Sequence, residues 1–120
     1  MNVHRIVPDL TATDFDACRN FYVEVLGLKL AMDLGWIMTF VSPSNPTAQI
    51  TMIQKDQTAP VTPQVTIEVE DVTTLFDSAT AAGANIIYPL TDEAWGVRRF
   101  FVRDPNGIVI NVMGHRPTEV

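Results

Sequence analysis

Residues 13–30 read TDFDACRNFYVEVLGLKL, and the parsing of that stretch decides the fold. Thr13 or Asp14 can cap a helix, and Asp16 adds negative charge in the first turn, where the helix dipole favours it. Phe15, Cys18, Tyr22 and Val25 recur at helical spacing and form one apolar stripe, which Phe21 and Leu26 widen. Gly27 can supply a left-handed exit, and Leu28 to Met32 then reads as a strand. The same parsing works a second time. Asp71 caps a helix with the stripe Val72, Leu75, Phe76 and Ala79, closed by Gly83.

The flanking segments repeat as well. Arg5 to Thr13 reads as a first strand, and Pro8, lacking an N–H, makes that strand an edge or locally irregular. After the first helix come an Asp33-Leu34-Gly35 turn, a strand over Trp36–Val41, a loop from Ser42 to Pro46 and a strand over Ala48–Ile53. In the second half, Val65–Val69 alternates as a strand. Asn85–Tyr88 is a strand closed by Pro89, Thr91–Gly96 is a loop carrying Trp95, and Val97–Arg103 is a strand. Asp104-Pro105-Asn106-Gly107 has the residues of a type I turn and leads into Ile108–Met113, with a polar tail from His115 to Val120. Partners in the two halves lag by about 57 residues at the start and about 60 at the end. The expected fold class is α+β: two tandem βαβββ modules, about residues 1–56 and 62–114, in one domain with a curled, mostly antiparallel sheet. Neither unit can bury its own sheet face. The two must share a core, and a cleft is expected where their sheets meet.

Composition narrows the function. The net charge is −6 and the basic residues are scattered, which argues against nucleic acid as a partner. No apolar run reaches membrane-span length, and Met1 to Arg5 lacks the core of a secretion signal. The single Cys18 excludes an internal disulfide and points to a reducing compartment, so a cytoplasmic location is expected.

The layout, with TDFDACRNFYVEVLGLKL at 13–30 and WGVRRFFVRDPNGIVINVM at 95–113, resembles the vicinal-oxygen-chelate superfamily. That group includes glyoxalase I, extradiol dioxygenases, fosfomycin-resistance enzymes and bleomycin-resistance proteins. The resemblance implies two βαβββ modules around a cleft and a homodimer. It also implies, for the enzymes, a divalent metal held by His, Gln or Glu from the first and last strands of each half. Counting back from the helix caps and forward from the turn places Val7, Thr51, Gln64 and Asn111 at those positions, within about one residue. Val7 cannot coordinate, and the other three are neutral, whereas a hard dication or zinc needs carboxylate, imidazole or thiolate in number. A shifted site built from His4, Asp9, Glu68 or His115 would need two register slips at once. The expectation is therefore no metal and no cofactor, closest to the metal-free bleomycin-resistance-like branch.

The leading function on this reading is metal-independent binding of a small aromatic or amphipathic molecule, such as an antibiotic or metabolite to be sequestered. The expected ligand-binding residues are Trp36, Phe40, Thr51, Gln64, Glu68, Trp95 and Asn111. An indole face offers large contact area at low rotamer cost, although ordinary core packing competes as an explanation for each tryptophan. Of Arg98 and Arg99, which alternate across their strand, one can face the cleft. The alternative is a metal-dependent lyase or dioxygenase with a shifted site. A third reading is a metal-free enzyme with Glu68 or Asp9 as general base.

Overall fold

The computed structural model describes residues 2–116. The element order is β1 (Val3–Thr11), α1 (Phe15–Arg19) with a π-helical continuation (Asn20–Val25), β2 (Lys29–Asp33), β3 (Ile37–Ser42) and β4 (Asn45–Ile53). Then follow β5 (Val65–Val69), α2 (Val72–Ala81), β6 (Asn85–Asp92), β7 (Val97–Arg103) and β8 (Val109–His115). All eight strands join one open sheet in the order β2-β3-β4-β1-β5-β8-β7-β6. That order is symmetric about the β1–β5 seam, where the strands run antiparallel with Val7 opposite Thr66. Strand pairs β1–β4 and β5–β8 are parallel, and the remaining pairs are antiparallel.

Pro8 lies where β1 changes partners. Val3 to Pro8 pairs with β5, while pairing with β4 begins only at Asp9. The Asp9 N–H points to β5, donating to the Gln64 carbonyl at 2.9 Å. By alternation the missing N–H of Pro8 would face the other side, before β4 has joined, so no ladder bond is lost. The strand is central yet locally irregular there. Pro89 sits inside β6 instead of closing it. β6 is an outer strand paired only with β7, and its register slips between Tyr88 and Thr91.

Each helix start follows the capping logic. The Asp14 carboxylate accepts from Ala17 N–H at 3.0 Å, and Asp71 accepts from Thr74 N–H at 3.1 Å. Gly27 and Gly83 leave the helices at φ +75° and +77°. α2 buries its expected stripe: Val72 joins Val69, Phe100 and Val112 in one core cluster, with Leu75, Phe76 and Ala79 against it. α1 does so only in part. Phe15, Cys18 and Tyr22 pack on Met38, Phe40 and Met52, but Val23 takes the next core position, while Val25, Phe21 and Leu26 are exposed. The cause is the π turn, in which Leu26 N–H donates to the Phe21 carbonyl five residues back. One extra residue per turn rotates the stripe out of phase.

Gly114 marks where the sheet meets α2. A Cβ there would stand 3.1 Å from the Val69 carbonyl oxygen and 3.3 Å from the Val72 side chain. Among the described residues, no helix is long and apolar enough to cross a membrane.

Candidate functional site

In β3, β4, β7 and β8, period-two alternation sends one face to the helices and the other to a cleft, while the far face of β1 is exposed. Met38 and Phe40 of β3 lie under α1, whereas their neighbours Ile37 and Thr39 line the cleft. The cleft has a volume of about 290 Å³. Its walls are apolar, from Met32, Ile37, Trp95, Val97 and Met113, and its floor is polar.

The floor is a four-strand constellation at the β1–β5 seam: Asp9 on β1, Thr51 on β4, Thr66 on β5 and Asn111 on β8. Asp9 faces Thr51 in the β1–β4 register, and Thr66 faces Asn111 in the β5–β8 register. Hydrogen bonds run through the group in one direction. Asn111 Nδ2 donates to Thr66 Oγ1 at 3.1 Å, and Thr66 Oγ1 donates to Asp9 Oδ2 at 2.6 Å. Beside them the Thr39 and Thr51 hydroxyls share a bond of 2.8 Å. Asn111 Oδ1 is buried with no hydrogen-bond partner. Such an orphan is costly unless something else meets it.

Asp9 is only 6 % exposed, and burial raises its carboxyl from the ordinary 3.8 to about 7. The Thr66 hydroxyl and the positive charges of Arg5 and Arg99 pull the other way, and Asp56 adds to the rise. Near neutral pH this group can therefore hold or release a proton.

Both cleft arginines are engaged by carboxyl groups. Arg5 Nε donates to Glu68 Oε1 at 2.5 Å, and Arg5 also bonds Gln49 Oε1. Arg99 is sealed in, with its Nη1 and Nη2 donating to Asp56 at 2.9 Å each and its Nε donating to Glu93 at 2.7 Å. Burial opposes the Arg99 charge, but the Asp56 and Glu93 carboxylates outweigh it and hold the pKa above its ordinary value. The guanidinium carbon lies 5.1 Å from the Trp95 ring centroid and 4.8 Å from that of Phe101. Asp56 belongs to the connector between β4 and β5, so this cluster ties the connector to β7. Arg98, one residue earlier, faces outward and pairs with Asp92 at 2.6 Å.

The expected site residues divide. Thr51, Trp95 and Asn111 line the cleft. Trp36 stands behind Trp95, edge to face at 5.6 Å between centroids. Glu68 does not line the cleft but is buried next to it, holding Arg5, with His115 Nε2 at 3.1 Å and His4 Nδ1 at 4.0 Å. Phe40 lies outside the cleft, fully buried and stacked on Tyr22 at 5.1 Å. Gln64 is also outside, exposed just before β5, where its Oε1 accepts from Val109 N–H at 3.1 Å. Val7 lines the cleft at the seam with Asp9 beside it on the same face of β1, whereas on β5 the cleft residue is Thr66, two residues beyond Gln64. On β5, counting back from the Asp71 cap overshoots the cleft residue by two positions. The 57-residue lag carries the missed signal, since it makes Asp9 the counterpart of Thr66.

One carboxyl, two hydroxyls and an amide do not fit a divalent cation, which needs several anionic or imidazole donors. The shifted set fares no better. His4, Glu68 and His115 converge, but the Arg5 guanidinium occupies Glu68, and Asp9 is bonded elsewhere. Among the described residues, no group of three or more His, Cys, Asp or Glu could hold a metal ion.

A symmetric open eight-strand sheet carrying two short helices, with a cleft over its central seam, defines a two-part α+β fold class. The sequence profile of the Glyoxalase/Bleomycin resistance protein/Dioxygenase superfamily matches residues 2–112, and the chain belongs to that superfamily. A superfamily member from Vibrio splendidus 12B01 is similar at 19 % identity and TM-score 0.68, with 94 % of this chain and 99 % of that one covered. A hypothetical protein from Bacillus halodurans C-125 gives 15 % identity and TM-score 0.75, covering 100 % and 99 %. Homoprotocatechuate 2,3-dioxygenase from Brevibacterium fuscum gives 20 % identity and TM-score 0.68, over 98 % of this chain and 34 % of that one. At these identities the likeness is one of fold. No curated protein matches the chain.

Proposed function

We propose that this protein binds a small, apolar-bodied molecule in the seam cleft without a metal ion, in the manner of the sequestering members of its superfamily. The observation that carries this reading is the floor itself: a single carboxyl and an unpartnered amide oxygen beneath apolar walls. Donors of that kind recognise organic polar groups, while Trp95, Ile37, Val97 and the two methionines supply contact area. A volume of about 290 Å³ suits a ligand of one or two rings.

The cleft forms at the junction of the two βαβββ halves, about residues 1–56 and 62–114. A homodimer belongs to the proposal, supported by the exposed Val3, Ile6 and Leu10 on β1 and Phe21, Val25 and Leu26 after α1. A cytoplasmic location fits the lone thiol of Cys18.

The test is tryptophan fluorescence titrated with planar antibiotics and aromatic metabolites. Saturable quenching that is lost in Trp95→Leu supports the reading, and silence from both indoles across the panel overturns it.

The elevated proton affinity of Asp9 in the cleft favours a second reading, a metal-free enzyme that uses this carboxyl as general acid or base. A pH–rate profile with an inflection near 7 that vanishes in Asp9→Asn would support it.

A further inference from the structure

The direction of the floor's hydrogen bonds restricts what can sit on it. Thr66 has one hydroxyl proton, and with Asp9 ionised its 2.6 Å bond commits that proton to Asp9 Oδ2. The contact between Thr66 Oγ1 and Asn111 then needs a donor from asparagine, so the amide must present Nδ2 there. A flipped amide would set two acceptors against each other. Asn111 Oδ1 is thereby fixed as a free acceptor on a residue only 8 % exposed. Asp9 lines the same cleft, and its second carboxyl oxygen is not the one that Thr66 holds.

Charge points the same way. The cleft and the groups immediately behind it contain two guanidiniums, Arg5 and Arg99, against four carboxyl groups, Glu68, Asp56, Glu93 and Asp9. Arg5 is taken by Glu68, and Arg99 by Asp56 and Glu93 together. Among the described residues lining the cleft, no unengaged arginine or lysine remains to meet an anion. His115 at the mouth is itself beside Glu68. Acceptors and excess negative charge together select a cation that donates hydrogen bonds.

We propose that the ligand's polar head is a planar, cationic N–H donor of the amidine or amino-heterocycle class, held by the Asp9 carboxylate and Asn111 Oδ1 with its ring against Trp95. This inference rests on the binding reading above and names its ligand class. The head's N–H groups meet both free acceptors, and the ring takes the apolar walls. A carboxylate of equal size would face two acceptors and would find no counter-ion.

The experiment is calorimetric titration at pH 8 with benzamidine, benzamide and benzoate, which share one ring and differ in the head. Benzamidine should bind at least tenfold more tightly than benzoate, with benzamide between them. Asp9→Asn should remove most of the benzamidine preference and leave benzamide within about threefold, and circular dichroism should confirm that the variant is folded. Asn111→Leu should weaken benzamidine and benzamide alike, since both lose the same acceptor. Benzoate binding as tightly as benzamidine, or an unchanged preference in Asp9→Asn, overturns the inference. Binding of neutral planar aromatics without any benzamidine preference overturns it while sparing the binding reading. No binding by any aromatic probe overturns both.

Discussion

The Thr66 hydroxyl donates to the Asp9 carboxylate at 2.6 Å and so joins β5 to β1 across the centre of the sheet. The two residues are symmetry counterparts that the sequence made unlike each other, one acidic and one neutral. A like-charged pair at this seam would repel, whereas a hydroxyl beside a carboxylate supplies a donor to it. What sits in the cleft meets this pair and the amide of Asn111.

The first prediction concerns pH and stability. The folded-state pKa of Asp9 lies above its unfolded value, so the native protein binds more protons between pH 4 and 7. This group's contribution to stability therefore falls as pH rises through that window and is least favourable above about 7. Asp9→Asn keeps an acceptor for Thr66 and removes the buried charge. It should raise the urea midpoint at pH 8 clearly more than at pH 5. An equal shift at both values would show that Asp9 is not the group responsible.

The second prediction isolates the hydroxyl. Thr66→Val keeps shape but deletes the donor that favours the ionised carboxylate. The Asp9 titration followed by carbon NMR should move above its midpoint of about 7. The other charged groups acting on Asp9, namely Arg5 on its own strand, Arg99 on β7 and Asp56 on the connector, are untouched by this change. His115, which lines the same cleft from β8, is also retained. A downward shift in the Asp9 midpoint would contradict the network.

Arg99 supports the third. Its removal leaves Asp56 and Glu93 buried and unpaired, and breaking such a cluster costs about 3–5 kcal/mol. Arg99→Met should lose that much in urea unfolding. Arg99→Lys should also destabilise, because an ammonium cannot serve both carboxylates and Thr58 in the same planar geometry. Arg98→Met, which breaks an exposed pair with Asp92, should leave the urea midpoint almost unchanged.

A fourth prediction separates the core face of β3 from the cleft. Phe40→Ala should cost about 3–5 kcal/mol of stability, because it empties a site that Tyr22 stacks on. Ligand affinity of the folded fraction should hold within about threefold. Trp95→Ala should show the reverse pattern, with roughly tenfold weaker binding of an aromatic probe.

Much of this fold is legible in the sequence because local signals agree with tertiary ones. Asp14 and Asp71 cap where capping chemistry expects them, and the α2 stripe from Val72 to Ala79 is the one the core uses. The α1 stripe misleads after Tyr22, since a π turn leaves no compositional trace and moves Val25 into solvent in favour of Val23. Pro89 reads as a terminator, yet an edge strand tolerates it. In the site, Thr51, Trp95 and Asn111 are readable from the repeat, and Phe40 is excluded by strand parity once Thr51 faces the cleft, because Thr39 is its partner. Asp9 is readable as a candidate base, but its raised proton affinity is not readable locally. It depends on burial and on neighbours from β5, β7 and the connector, which sequence separation hides.

The most direct test of metal-independent binding combines two readings on one sample. Metal content of the purified protein is measured by mass spectrometry, and an aromatic probe is titrated before and after exhaustive dialysis against a chelator. The account predicts an unchanged dissociation constant after dialysis. Stoichiometric metal that is released by the chelator together with probe binding, and is absent from Asp9→Asn, would contradict it.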